Sequence, residues 1–472
     1  MSLSTAALES HLCTTLKAWL CSAHSPPQTD CTTCQAAILY SDIAGFTPFV
    51  DSYAKTGKDG LDQLGRILND VISAYAEGVY GQGGDIVSIA GDAFLCIWPA
   101  SSNLELKDAV LKATAAGWTI QERMKKLNLQ HRTNLLSRAG VAVGEAEIAF
   151  VGGHHGRWDV LVSGPALTDA FAAEHGAAPG EILLTKSAFE QVRQSVWGIE
   201  KPLGMAVVGL DAPPPLIQPL PRIPRDVLMR HVPPAVKDIQ MDLDMNWLAE
   251  ARRLSVVMTK IPALRDIPGP ADVRLMTVDE ISRRFQEIVI GLEGYARLEC
   301  DEKGTHLLAL WGLQGHAHEN DAVRALEAAH ALSPALRNLQ LDSGIGITTG
   351  HALCGAFGSD LRRHFMFHGN VINLASRLMM HASNQTTCDK PTMQSAAQRH
   401  AFRPLDPIRV KGREDWIPIY LPGLGTRLPQ DRMQASGSIG RDPEFNELTG
   451  AWDSVRDGGV GRLFLLEADA GL

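Results

Sequence analysis

The sequence is short of positive charge. Lysine and arginine number 44 against 53 aspartates and glutamates, giving a formal net charge of -9. A protein that wraps a phosphate backbone needs a basic face, so this balance argues against a nucleic-acid scaffold. A site for one nucleotide needs only a few local cations. Long apolar runs are also missing. No segment has 18 uninterrupted apolar residues, and Glu9, Thr14, Thr15 and Lys17 break up the first twenty. That stretch is neither a clean signal peptide nor a membrane span, and a soluble, cytoplasmic protein is expected. It reads instead as an amphipathic helix with Leu8, Leu12, Leu16 and Trp19/Leu20 on one face. Cysteine is scarce where a metal site would need it. Of Cys13, Cys21, Cys31, Cys34, Cys96, Cys300, Cys354 and Cys388, Cys31 and Cys34 alone have Cys-x-x-Cys spacing. Without a second well-spaced pair, ordinary thiols are the expectation over a zinc or redox site.

What is present points to phosphate and metal. The 472 residues, 45% hydrophobic, suffice for two or three domains with proper cores. Asp42 follows an apolar run in Ala37-Ile38-Leu39-Tyr40-Ser41-Asp42-Ile43-Ala44-Gly45-Phe46-Thr47. Asp92 closes Gly84-Asp85-Ile86-Val87-Ser88-Ile89-Ala90-Gly91-Asp92. Two carboxylates at a strand end and a hairpin tip, each beside small residues that let a phosphate approach, suit two divalent cations on a nucleotide.

These motifs resemble the first catalytic half of a class III nucleotidyl cyclase, closest to the bicarbonate-responsive soluble adenylyl cyclases. An internal repeat supports the resemblance. Arg138-Ala139-Gly140-Val141 before Val162-Ser163-Gly164-Pro165 matches Gly344-Ile345-Gly346-Ile347 before Phe367-His368-Gly369-Asn370. The two matches stand 206 and 205 residues apart, an agreement chance rarely supplies. Apolar strands ending in Trp98 and Trp311 correspond as well. Each copy reads as strand, helices, hairpin, helix, strand, hairpin and helix, an α+β order with mostly antiparallel strands. The resemblance implies two ferredoxin-like (βαββαβ) domains packed head to tail as an intramolecular pseudo-dimer. Residues 213–234 hold eight prolines, which marks an extended linker. The expected parts are 1–32 lead-in, 33–200 first half, 201–252 linker, 253–422 second half and 423–472 tail.

The copies are complementary. Aligned on the first strand, Asp42 matches Lys260, and the second hairpin, with Thr305, His306 and Leu307, looks shortened. The second copy therefore cannot hold metals. Asn373 and Arg377, four and eight residues after Gly369, share a helix face, while Thr168 and Ala172 stand at those distances from Gly164. The resemblance implies one active site between the copies. Asp42, Asp92 and the Ile43 carbonyl would bind two Mg²⁺ (or Mn²⁺). Amides of Ala44, Gly45, Phe46 and the neighbouring Thr47 would cradle the triphosphate at a helix start. Arg138 and Lys411, with Arg413 as a substitute, would reach phosphates. Lys303 would recognise adenine, Asn373 would orient the ribose, and Arg377 would neutralise charge at the α-phosphate during attack by the 3'-hydroxyl. The implied reaction converts ATP to 3',5'-cyclic AMP and pyrophosphate, one cation activating the hydroxyl and the other bridging the phosphates. A catalytically silent regulatory module of a signalling ATPase, and a guanylyl or diguanylate cyclase, stay open as alternatives.

Three departures qualify the resemblance. Met366 stands where adenine-selective members carry an aspartate or threonine, so selectivity would rest on Lys303 and a backbone carbonyl near Phe367. Ser88 and Phe171 stand where the soluble enzymes place the lysine and arginine that hold bicarbonate, with His154 and His155 as alternative anion contacts. The final run, Leu463 to Leu472, resembles the entry to a P-loop and suggests a piece of a longer protein with an ATPase domain beyond it. Bicarbonate added to an activity assay at constant pH is expected to leave the rate nearly unchanged. A large stimulation would contradict the argument from Ser88 and Phe171.

Overall fold

Two eight-stranded sheets of identical connectivity carry most of the chain. The computed structural model describes residues 8–22, 27–54, 58–102, 104–216, 222–232, 250–262, 264–301, 304–339, 341, 343–409, 416–425, 442–456, 461 and 463–464. The first half runs α1 (Thr14–Ser22), β1 (Asp30–Ala44), α2 (Phe46–Ala54), α3 (Lys58–Gly81), β2 (Asp85–Ala90), β3 (Ala93–Pro99) and α4 (Leu106–His131). It continues with β4 (Leu136–His154), β5 (Arg157–Ser163), α5 (Pro165–Gly176), β6 (Ile182–Thr185), α6 (Lys186–Val192), β7 (Val196–Lys201) and β8 (Gly204–Leu210), and α7 (Arg225–His231) follows. The second half runs β9 (Glu250–Ile261), α8 (Ala271–Gly291), β10 (Tyr295–Asp301), β11 (Gly304–Trp311), α9 (Asp321–Asn338) and β12 (Ile345–Gly358). Then come β13 (Arg363–His368), α10 (Asn370–His381), β14 (Thr386–Asp389), α11 (Lys390–Ala396), β15 (His400–Pro404) and β16 (Ile419–Gly425).

The strand orders are β2-β3-β1-β4-β6-β8-β7, with β5 on β4, and β10-β11-β9-β12-β14-β16-β15, with β13 on β12. β4 pairs with β6, and β12 with β14, in parallel; the neighbouring pairs around β1 and β9 are antiparallel. The α+β tandem expected from the repeat is therefore the observed fold. Its registers reproduce the repeat offsets, because Glu147 faces Ser163 and Leu353 faces His368. Likewise Asp42 faces Arg138, and the Lys260 amide donates to the Gly344 carbonyl at 3.2 Å.

Strand periodicity explains how one strand serves two cores. On β1, Ala37 and Leu39 enter the helix-covered core of the first half, whereas Ile38 and Tyr40 enter a core shared with the second half. The halves meet through a reciprocal contact, α3 on β12 and α8 on β4. Its polar centre is symmetric. The Gly358 amide donates to Asn69 Oδ1 at 2.8 Å, and the Gly152 amide, 206 residues earlier, donates to Asp279 Oδ1 at 2.9 Å. Both glycines have positive φ, 123° and 100°, a conformation that turns the amide toward the opposing helix at little cost only for glycine. This is the isologous contact of a two-fold pair built within one chain.

Four expectations change. The second hairpin is not shortened: β11 begins seven residues before Trp311, whereas β3 begins five before Trp98. The proline-rich linker is not wholly extended, since Pro224 caps the short α7, whose Leu228 is buried and whose His231 Nε2 accepts from the Trp158 amide at 3.2 Å. Proline is tolerated there because an N-cap needs no intrahelical N–H bond. The first sheet extends through Leu210 instead of ending at 200. The N-terminal stretch is not one helix, because α1 starts at Thr14, where Asp85 accepts from the Thr14 and Thr15 amides at 2.9 and 2.6 Å. Leu8, Leu12, Leu16 and Trp19 are buried as expected.

Residues 425–472 form a separate unit containing α12 (Asp442–Arg456). The P-loop-like run lies outside the described residues from 465 onward. Among the described residues no helix is long and apolar enough to cross a membrane.

Replacing Asn69 with alanine removes an acceptor for a half-interface amide and is expected to cost about 1 kcal/mol. Urea denaturation should show a lower midpoint for Asn69→Ala, and an unchanged midpoint would mean the contact contributes nothing to closure.

Candidate active site

The first half supplies a strand end and a hairpin tip. Ser41, the last β1 residue paired with β3, is buried, and its Oγ lies 2.8 Å from Tyr75 Oη and 2.9 Å from Ser137 Oγ. That hydroxyl cluster fixes the end of β1, from which Asp42 projects half-buried. Ile43, whose side chain is buried, and Ala44 complete the strand, and α2 begins at Phe46 after Gly45. Amides of a first helical turn have no partner inside the helix, so those at Gly45, Phe46 and Thr47 are oriented for an anion. Asp92 occupies the β2–β3 loop, which opens at the same sheet end because Ser41 faces Phe94.

Arg138, across from Asp42 on β4, points back to it. Its Nη2 lies 3.3 Å from Asp42 Oδ2, and its Nε lies 2.5 Å from Glu174 Oε1 on α5. No local motif marks Glu174 as part of this group. Its side chain is fully buried.

The second half supplies β13 and α10. Met366, Phe367, Gly369 and Asn373 line one cleft with Thr47, Gly91 and Asp92. Residues of both copies therefore line one cleft. Phe46 also crosses the interface, edge-on to the His368 ring at 5.3 Å; burial pushes His368 below its ordinary pKa, so the ring is neutral at pH 7. Arg377, one turn beyond Asn373 on α10, is half-buried and does not line that cleft. Lys303, Lys411 and Arg413 lie outside the described residues.

A buried ionic network forms the far wall of the cleft. Arg297 and Glu299 pair on β10, Glu299 Oε2 lies 3.2 Å from His306 Nε2, and Arg297 Nη1 lies 2.9 Å from His364 Nε2. Arg297 also covers the Phe367 ring at 4.6 Å. Burial opposes ionisation of Glu299, but Arg297 and His306 outweigh it and hold the carboxyl at about 2. His364 is pushed well down, by burial first and then by Arg297. The available sequence signal was two charged residues at i and i+2 within an apolar strand, which must share one face.

Ser88 lines a neighbouring cavity in which Arg157, Arg297 and Arg362 supply cations from other elements. His154 and His155 do not join it; they line a separate hollow with Trp158, Asp279 and Arg283. Phe171 packs edge-on against Tyr40 at 4.6 Å. Cys31 and Cys34, three apart on β1, project to opposite faces, and burial pushes the Cys31 thiol up to about 11.

Glu299 supplies a pH signature. Its folded pKa of about 2 lies below the unfolded value of about 4.3, so between them the unfolded state binds more protons and stability rises with pH. The contribution is complete above the unfolded value and is lost as pH falls toward 2. Urea midpoints measured from about pH 6 down to about pH 3 should fall more steeply for wild type than for Glu299→Gln. Parallel profiles would contradict the ionic assignment.

Comparisons with known proteins agree with this fold. Residues 30–207 match the adenylate and guanylate cyclase catalytic domain. Adenylate cyclase type 10 of Oryctolagus cuniculus is 24% identical over 455 residues, covering 86% of this chain and 28% of that protein. The Homo sapiens protein of the same name is 23% identical over 434 residues, covering 81% and 26%. This chain thus spans about a quarter of the length of these relatives. The crystal structure of a class III adenylyl cyclase-like ATP-binding protein from Pseudomonas aeruginosa shares the fold, with a TM-score of 0.54 at 14% identity over 77% of this chain and 85% of that one. With residues 30–207 matching the adenylate and guanylate cyclase catalytic domain and adenylate cyclase type 10 similar along most of its length, the chain resembles the class III nucleotidyl cyclases.

Proposed function

We propose that the chain is an adenylyl cyclase that converts ATP to 3',5'-cyclic AMP and pyrophosphate at one site between its halves. The observation that carries this reading is the single cleft joining Thr47, Gly91 and Asp92 of the first half to Met366, Gly369 and Asn373 of the second. A site assembled from both halves can bind triphosphate with one and orient the sugar with the other, which is how positioning lowers a barrier.

The donor set suits Mg²⁺ or Mn²⁺. Asp42 and Asp92 carboxylates with the Ile43 carbonyl are hard oxygen ligands, and Mg²⁺ characteristically takes one or two carboxylates, substrate phosphates and water. Two such cations supply Lewis-acid activation of the 3'-hydroxyl and neutralise phosphate charge. The remaining chemistry belongs to side chains and backbone. The amides from Ala44 to Thr47 cradle the triphosphate, Arg138 and Lys411 hold its phosphates, and Asn373 orients the ribose. Arg377 offsets charge growing on the α-phosphate as the 3'-oxygen attacks and pyrophosphate leaves. Lys303, a donor without acceptor capacity, suits the unprotonated N1 of adenine. Met366 and the backbone at Phe367 complete the base pocket without a side-chain hydrogen bond to the exocyclic amine.

The test is direct. Purified protein with ATP and Mg²⁺ or Mn²⁺ should yield cyclic AMP, with little product from GTP. Asp42→Ala and Arg377→Ala should each lower the rate by about a hundredfold or more. A wild type that forms no cyclic product from either nucleotide would overturn the enzyme reading in favour of a silent module.

A further inference from the structure

The internal repeat supplies a control for Glu174. Helix α5 packs so tightly on β4 that a Cβ on Gly140 would lie 2.3 Å from the Glu174 amide nitrogen and 2.4 Å from the Ala170 carbonyl oxygen. Helix α10 packs on β12 the same way, with a Cβ on Gly346 lying 2.4 Å from the Met379 nitrogen and 2.2 Å from the Ala375 oxygen. Met379 therefore fills in the second half the slot that Glu174 fills in the first. The fold accepts an apolar side chain there.

A carboxylate in that slot is costly. Burial pushes the Glu174 pKa up, Arg138 pulls it back, and Asp42 adds to the rise. Its oxygens have no hydrogen-bond donor beyond the Arg138 guanidinium, so a neutral residue of similar volume is expected to fold there, as Met379 does in the second half. His175 Nδ1 lies 3.4 Å from Oε2, but that nitrogen also meets the Phe171 carbonyl at 2.9 Å. The close cationic partner is Arg138 Nε at 2.5 Å. Where the repeat has Gly344 in place of Arg138, it has Met379 in place of Glu174. The buried charge accompanies the arginine.

We propose that Glu174 is a positioning residue for Arg138. By engaging Nε, it leaves the terminal guanidinium nitrogens directed at Asp42, with Nη2 already 3.3 Å from its carboxylate. The role rests on the reading of this cleft as a triphosphate site. It sets affinity for the outer phosphates, not for base, sugar or α-phosphate.

Calorimetric titration of ATP and AMP into wild type and Glu174→Met tests it without requiring turnover. ATP affinity should fall about tenfold, the scale of one charge-assisted contact, while AMP affinity stays within about twofold and the melting temperature does not drop. In steady-state assays the loss should fall on KM for ATP more than on kcat. In an Arg138→Met background, Glu174→Met should weaken ATP binding no further. Unchanged ATP affinity, an equal loss for ATP and AMP with a lower melting temperature, or an additive loss in the Arg138→Met background would each overturn the assignment. A wild type that binds no ATP would overturn this role together with the cyclase reading, whereas intact ATP binding in Glu174→Met overturns this role alone.

Discussion

The reciprocal packing of α3 on β12 and α8 on β4 is the constraint on which the remaining structure depends. Each half exposes a sheet face that must be covered, and each covers the other's. The two amide bonds at Gly152 and Gly358 mark the centres of these contacts. Because the contact is reciprocal, clefts form between a hairpin tip of one half and a β13-type hairpin of the other. Divergence of the copies has then assigned different chemistry to positions that share a backbone.

That division explains the charge pattern. On the first half, Asp42, Arg138 and Glu174 form a group at one sheet end. The equivalent second-half positions are Lys260, Gly344 and Met379, which carry no carboxylate. The second half has invested its ionisable residues elsewhere. Arg297, Glu299, His306 and His364 form a buried network that stiffens the wall behind Met366 and Phe367. A buried network of this kind favours one arrangement, since separating any member would leave a charge buried without its partner.

The elements that tie the halves together include segments outside the repeat. Asp85 caps α1, while Arg362, just before β13, donates to the His11 carbonyl at 2.6 Å. The N-terminal segment therefore touches both halves. Lys17, nearly inaccessible to solvent, donates to the Glu9 carbonyl at 3.3 Å, and burial pushes its pKa down. The linker helix α7 adds contacts to β5 through His231.

Much of this was legible in the sequence, for physical reasons. Strand alternation, the proline-rich break and offsets of 206 and 205 residues are local or self-comparing signals, so the tandem α+β fold could be read directly. Asp42 and Asp92 stood out because each carboxylate sits beside small residues at a strand end or hairpin tip, where a divalent cation and a phosphate could approach. The sequence could not disclose Glu174 beneath Arg138, the His306 and His364 partners of the Arg297–Glu299 pair, the cations around Ser88 or the true length of the second hairpin. Those depend on which side chains from distant strands share a face and how closely a helix approaches a glycine, and only the closed tertiary structure decides that.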